Sequence, residues 1–297
     1  MTIALRLGSV LFGFVVGIGL PAAMAQTPAP FASPGRSAWT FDDPVWKAID
    51  VATYTPEACA ARPCPLVIVI HGAGRNAANS RDYWVEAADR YGVLIAAPRF
   101  EKERFSSRLF QQGNVRGEPD HSRWTFGVVE RLFDAARAAG RAAGSSYRLF
   151  GHSAGGQFVH RMALLMPEAR FSKAVVANAG YYTRPVDAAA AGGFAYPYSL
   201  GGTPATDTTL RVALGKQVTV MLGDRDTDAA HRELNRSPGA EDQGATRFAR
   251  GQRFMADIRA TAVRLGVPLQ WREVVVPGVA HQQKRMAQAA APELLGP

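Results

Sequence analysis

A serine, a histidine and an aspartate are the residues best placed to do chemistry together. Ser153 stands in Gly151-His152-Ser153-Ala154-Gly155-Gly156, with the strand-like Tyr147-Arg148-Leu149-Phe150 before it and an amphipathic helical pattern after it. Context decides here, because a bare G-x-S-x-G arises easily by chance. Between a strand and a helix, the glycines allow a turn too tight for side chains. The serine hydroxyl is then thrown clear of the backbone at the helix N-terminus. The chemistry suggested is nucleophilic attack on an acyl carbon.

A serine hydroxyl is a weak nucleophile until a base takes its proton. Of the six histidines, His281 has the right setting, in the loop Pro277-Gly278-Val279-Ala280-His281 after an apolar strand pattern. His71 and His152 adjoin glycine turns and are read as shaping loops. His160 falls inside the helix after Ser153, packed or on the surface, while His121 and His231 lie in polar loops and are read as solvated. The base needs a carboxylate to hold its tautomer. The segment Gly223-Asp224-Arg225-Asp226-Thr227-Asp228 offers three, of which Asp226 is favoured over Asp228 and Asp224. A tetrahedral intermediate also needs donors for its oxyanion. The backbone N–H of Ala154 is one. The turn His71-Gly72-Ala73-Gly74 supplies the other, with Ala73 ahead of Gly74.

These residues must be positioned by a scaffold. Short β-branched runs at 66–70, 92–97, 147–150, 174–177, 218–222 and 271–276 alternate with helical patterns at 81–91, 122–143, 154–165, 246–265 and 282–295. That alternation predicts an α/β fold, a single domain whose mostly parallel central sheet carries helices on both faces. Residues 46–54 could add leading strands. The stretch 181–213 shows no helix or strand pattern, only Gly, Pro, Thr and aromatics. A long irregular insertion is more often functional than filler. Tyr181, Tyr182, Tyr196 and Tyr198 are accordingly expected to line part of the substrate pocket.

The 297 residues, 47% of them hydrophobic, can bury the core of one large domain. Residues 1–25 combine one positive charge, a short apolar run and the small-residue end Ala23-Met24-Ala25. They read as a signal peptide, placing the mature protein in the periplasm or the medium, with no stable membrane insertion after cleavage. A Pro- and Ser-rich flexible leader over 26–45 then precedes a domain over 46–297. Cys59 and Cys64, the only cysteines, either close a small loop in an oxidising compartment or remain two thiols, since geometry decides. No set of residues has metal-ligand spacing, so no metal is expected. The formal net charge of +9 falls to +8 without residues 1–25, where Arg6 is the only charge. The cations are scattered among acids rather than gathered in runs, so the charge is read as solvated surface and no nucleic acid partner is expected.

Taken together, His71-Gly72-Ala73-Gly74, Gly151-His152-Ser153-Ala154-Gly155-Gly156, Gly223-Asp224-Arg225-Asp226 and Gly278-Val279-Ala280-His281 resemble the α/β-hydrolase superfamily. Within it, the chain looks like the exported polyhydroxybutyrate-depolymerase-like and esterase branch, from about Trp46 to the C-terminus. The order Ser153, Asp226, His281 is the one this superfamily uses. The resemblance implies carboxylic ester hydrolysis through an acyl-enzyme, without a cofactor, on small-molecule or oligomeric esters. Some relatives cleave anionic polyamides such as poly(aspartate), which a basic chain would suit. An amidase or depolymerase of an anionic polymer and an acyltransferase are therefore the alternatives. A binding protein on a dead hydrolase scaffold is disfavoured, because each triad member has a candidate.

Overall fold

The computed structural model describes residues 29–296. The expected signal peptide over 1–25 lies outside the described residues, as do residues 26–28 of the expected leader. Strands form at β1 (Gly35–Asp43), β2 (Lys47–Thr55), β3 (Leu66–Ile70), β4 (Leu94–Pro98), β5 (Tyr147–His152), β6 (Phe171–Ala177), β7 (Val218–Gly223) and β8 (Trp271–Val276). They make one sheet in the order β1-β2-β4-β3-β5-β6-β7-β8. The pairs β1/β2 and β2/β4 are antiparallel, and those from β4/β3 to β7/β8 are parallel.

Among the described residues, eight α-helices accompany the sheet: α1 (Ala77–Asp82), α2 (Val85–Tyr91), α3 (Gly127–Ala138), α4 (Ala154–Leu165), α5 (Asp207–Leu214), α6 (Pro238–Glu241), α7 (Arg247–Leu265) and α8 (Gln283–Leu295). Side chains of a strand alternate between the two faces, so a strand buried on both sides reads as a continuous apolar run. In β3, Leu66, Ile68 and Ile70 join a core layer with Leu132 of α3, Phe158 of α4, Leu210 of α5 and Ile258 of α7. Val67 and Val69 join the opposite layer with Ala88 of α2 and Met286 and Leu294 of α8. Two apolar layers thus clamp the sheet that carries the site.

Three expectations need correction. The segment 26–45 is not a flexible leader throughout, since β1 occupies its second half and pairs with β2 over its full length. Trp39, Phe41 and Asp43 alternate inward on β1, and Phe31 is buried too. A period-2 pattern lies behind the Pro- and Ser-rich stretch, and buried aromatics dock it. The helix expected over 81–91 is two helices, separated where the fully buried Trp84 packs on Phe150 with ring centres 4.9 Å apart. Within 181–213, α5 forms from Asp207, capped by Thr206, whose hydroxyl accepts the Thr209 N–H at 3.2 Å.

Cys59 and Cys64 are joined as a disulfide between β2 and β3. Arg141 donates to the carbonyl oxygens of Cys59 at 2.8 Å and Ala60 at 3.2 Å, holding the small loop against the end of α3. Among the described residues no helix is long and apolar enough to cross a membrane, and no cluster of His, Cys, Asp and Glu could hold a metal ion.

Candidate active site

Four neighbouring strands, β5, β6, β7 and β8, run parallel, so their C-terminal ends share one rim of the sheet. Ligands in open α/β sheets bind beyond such a rim. Ser153 follows β5 there, with a positive φ (φ 57°, ψ −117°) that serine rarely adopts. The strain is held in place by close packing. A side chain at Gly151 would collide with the Gly155 carbonyl, and one at Gly155 with the Ile70 carbonyl of β3. The Ser153 N–H is anchored to the Ala177 carbonyl at 3.0 Å. Those contacts make glycine necessary on both sides of the serine.

The structure brings Ser153, His281 and Asp226 together. His281 Nε2 lies 2.9 Å from Ser153 Oγ, and its Nδ1 lies 2.7 Å from Asp226 Oδ2. An ionised carboxylate only accepts, so Nδ1–H is the donor and the Nε2 lone pair faces the serine hydroxyl. Asp224 instead accepts the Gly278 N–H at 2.7 Å, bracing the loop that carries His281, and Asp228 accepts the Ala230 N–H at 2.8 Å within its own turn. Of the three aspartates, Asp226 is therefore the one on the imidazole.

Two residues that the sequence reading passed over hold this arrangement. Asn178, just past β6 with φ 43°, donates to the Ala280 carbonyl at 3.0 Å and accepts the Gly223 N–H at 2.8 Å. It thereby ties the ends of β6 and β7 to the residue before His281. The second is Arg247, first residue of α7 and buried, whose guanidinium donates to Asp226 Oδ1 at 3.3 Å. His231, expected to be solvated, is half-buried and accepts from Arg247 Nη2 at 3.1 Å, because its loop folds back over the start of α7. An asparagine in a left-handed turn after a strand, and a cation in the first turn of a helix, were the available signals.

Three further histidines are buried. His152 packs with its ring centre 4.7 Å from that of His281. Burial holds its imidazole well below the ordinary pKa, with repulsion from His281 and Arg247 adding to the effect. His71 is pushed down to about 4 by burial, and its Nε2 accepts the Phe100 N–H at 3.0 Å, so it does shape the turn beside the site. His160 is fully buried, accepting the Thr183 N–H at 2.9 Å. His121 is exposed, as expected, and stacks on Trp124 with ring centres 4.1 Å apart.

Gly72 lies against Ser153, since a side-chain carbon there would sit 3.6 Å from Ser153 Cβ. Ala73 and Gly74 follow on the exposed crest of the turn, and Ala154 opens α4, where the first N–H groups have no partner within the helix. The expected pocket tyrosines prove to be mainly packing. Tyr182 is fully buried and stacked on Phe254 at 4.5 Å, so it does not line a pocket. Tyr181 and Tyr196 are buried, and Tyr196 Oη donates to the Gln112 carbonyl at 2.6 Å. Tyr198 is half-buried and bonded to Ser237 at 2.9 Å. The fully buried Arg161 fastens this layer, donating to Thr183 Oγ1 at 2.8 Å and to the Gln111 carbonyl at 2.7 Å. Its guanidinium lies 4.9 Å from the Tyr181 ring centre. A buried polar network around one arginine gave these aromatics a structural use that spacing alone could not reveal. A separate cavity of about 590 Å³, lined by Pro185, Leu200, Leu210 and Arg264 among others, includes none of Ser153, Asp226 or His281.

A mostly parallel sheet presenting a strained serine beside a histidine and an aspartate on its rim defines a serine hydrolase of the α/β type. Comparison with solved structures narrows the class. The chain is 36% identical to poly(aspartic acid) hydrolase-1 from Sphingomonas sp. KT-1, covering 88% of this chain and 99% of that one with a TM-score of 0.83. It is 35% identical to the LpqC poly(3-hydroxybutyrate) depolymerase from Bordetella parapertussis, over 87% of this chain and 89% of the other, with a TM-score of 0.80. The S-formylglutathione hydrolase from Agrobacterium tumefaciens, 16% identical over 88% of this chain and 95% of its own, shares the fold at a TM-score of 0.57. No protein-family model matches the chain, and no curated protein does. The chain belongs to the α/β-hydrolase superfamily, in its polyhydroxybutyrate-depolymerase-like and esterase branch, and is a serine ester hydrolase.

Proposed function

We propose that the protein is exported and hydrolyses carboxylic esters, either short acyl esters or soluble oligo- and polyesters, through an acyl-enzyme on Ser153. The observation that carries this reading is the continuous bond path from Ser153 Oγ through His281 to Asp226, at 2.9 Å and 2.7 Å. His281 Nε2 takes the hydroxyl proton as Ser153 Oγ attacks the acyl carbon, and the carbonyl oxygen becomes an oxyanion. The N–H groups of Ala154 and of Ala73 or Gly74 receive that charge. His281 then returns its proton to the leaving alcohol as the tetrahedral intermediate collapses. Water repeats the cycle on the acyl-enzyme and releases the acid. Asp226 stays ionised throughout, holding the imidazole and stabilising its protonated form.

The exposure of the site is compatible with an extended substrate. Ser153 and His281 are half-buried, and Ala73 and Gly74 are exposed, so the scissile bond of a chain could be laid across the rim. The test is release of p-nitrophenol from p-nitrophenyl butyrate by the purified protein and by Ser153→Ala. The wild type should turn over and the variant should fall to background. Activity that survives in the variant would remove Ser153 from the reaction. N-terminal sequencing of protein recovered after expression in an exporting host should begin at Gln26, and an intact Met1 would end the export proposal.

A second reading, hydrolysis of an anionic polyamide such as poly(aspartate), is favoured by the net charge of +9 and by the likeness to a poly(aspartic acid) hydrolase. Competition between p-nitrophenyl butyrate and poly(aspartate) decides between them. Strong competition that weakens steeply with salt supports the polyanion, and its absence supports the uncharged ester.

A further inference from the structure

Asp226 is gripped from behind by the start of α7. Its carbonyl accepts the Phe248 N–H at 3.2 Å, and its Oδ1 accepts from Arg247 at 3.3 Å, leaving Oδ2 to His281. Both members of the ion pair are buried, with side chains 3% and 2% exposed. A cation in the first turn of a helix works against the helix dipole. On a surface such a residue would weaken α7, a helix of 19 residues. Here the cost is offset because Arg247 meets a carboxylate that would otherwise be buried with a single neutral partner. The grip extends one residue further. His231 Nδ1 lies 3.1 Å from Arg247 Nη2 and 3.1 Å from the Glu233 nitrogen, so its one lone pair is shared between the two donors.

Resting on the triad reading above, we infer that Arg247, held by His231, is a positioning residue for the hydrolysis, fixing Asp226 and through it the proton affinity of His281. It touches no substrate, being buried behind Asp226. It acts by two routes that can be told apart. Its two-sided grip fixes which carboxylate oxygen faces Nδ1, and its charge opposes protonation of the imidazole beyond. The groups facing this cluster are His281 on the loop after β8, His231 on the loop after β7, His152 in the serine turn, Tyr182 on the loop after β6 and Arg250 one turn along α7. Burial keeps His152 neutral, and burial together with the Asp226 carboxylate drives the Tyr182 hydroxyl upward, so neither supplies a compensating charge.

The experiment compares the wild type with Ser153→Ala, Arg247→Met, Arg247→Lys and His231→Leu on p-nitrophenyl butyrate across pH. Arg247→Met should lower kcat by about 10- to 100-fold, the range for losing a partner that orients a reacting group from behind, with KM little changed. Because removing the cation favours the imidazolium, the acidic limb of kcat/KM should move to higher pH. Arg247→Lys should restore most of kcat and bring the limb back, while His231→Leu should move it to higher pH by less than Arg247→Met does. A merely structural arginine would lower the amount of folded enzyme without moving the limb. An Arg247→Met enzyme with an unmoved or lowered limb overturns the inference. If that variant does not fold, His231→Leu, which has no acceptor for Arg247, decides, and its unmoved limb is equally fatal. Survival of activity in Ser153→Ala would instead sink the triad reading itself.

Discussion

Within hydrogen-bonding distance of His281, one carboxylate does what three were available to do. Asp226 is buried and bonded to the imidazole, whereas Asp224 braces a loop and Asp228 caps a turn. Asp226→Asn should therefore lower kcat by about four orders of magnitude, because an amide there favours the wrong imidazole tautomer. Asp224→Asn and Asp228→Asn should each cause a far smaller loss. Steady-state kinetics on the three variants checks this, and an equal loss at Asp224 would reassign the triad. The sequence made Ser153 and His281 legible because each sits in a short motif whose spacing is set by backbone geometry. Asn178 and Arg247 were hidden because their work depends on which loops meet in space. Asn178 is 45 positions from Gly223 in the chain, and Arg247 is 21 from Asp226. No local motif spans such separations, so only the folded bonds record that these residues meet.

At the scale of elements, the patterns at 66–70, 154–165 and 271–276 match β3, α4 and β8 residue for residue. Strand alternation and helical period are strong enough in these segments to betray them. The failures fall where a second factor intervened. Trp84 divides a helical pattern by packing inward, and α5 is short, burying Leu210, Ala213 and Leu214 on one face behind its Thr206 cap. The first strand was masked by the proline-rich residues before it. Since β1 buries Trp39 and Phe41 and follows the buried Phe31, its removal has a definite consequence. A chain beginning at Pro44 should lose about 1.5–3 kcal/mol for each of these aromatic side chains and expose the edge of β2 to self-association. A chain beginning at residue 29, which keeps Phe31 and β1, is the comparison and should melt at a higher temperature. Thermal melts with light scattering distinguish the two, and equal stability of both truncations would show that β1 is dispensable.

For the whole molecule, three fully or nearly buried histidines set a dependence of stability on pH. His71, His152 and His160 all have folded pKa values below the ordinary one, chiefly through burial, with His71 at about 4. The unfolded chain, whose histidines titrate near about 6.5, then binds more protons than the folded one as pH falls. Stability is thus fully present above about 6.5 and declines as pH drops toward 4, by about 3 kcal/mol for His71 alone. Melting temperatures measured between pH 7 and pH 4 should fall throughout. His71→Gln, whose amide oxygen can still accept the Phe100 N–H, should show a shallower slope. Identical slopes for the two proteins would remove His71 from the account.

The order of strands in the sheet has a temporal consequence. Ser153 lies near the middle of the chain, but its partner follows β8, the last strand and one edge of the sheet, 128 residues later. On the proposed mechanism, a chain synthesised only as far as β7 carries the serine but not its base. The two meet only when β8 lies beside β7, so the onset of turnover during refolding should report closure of that edge of the sheet.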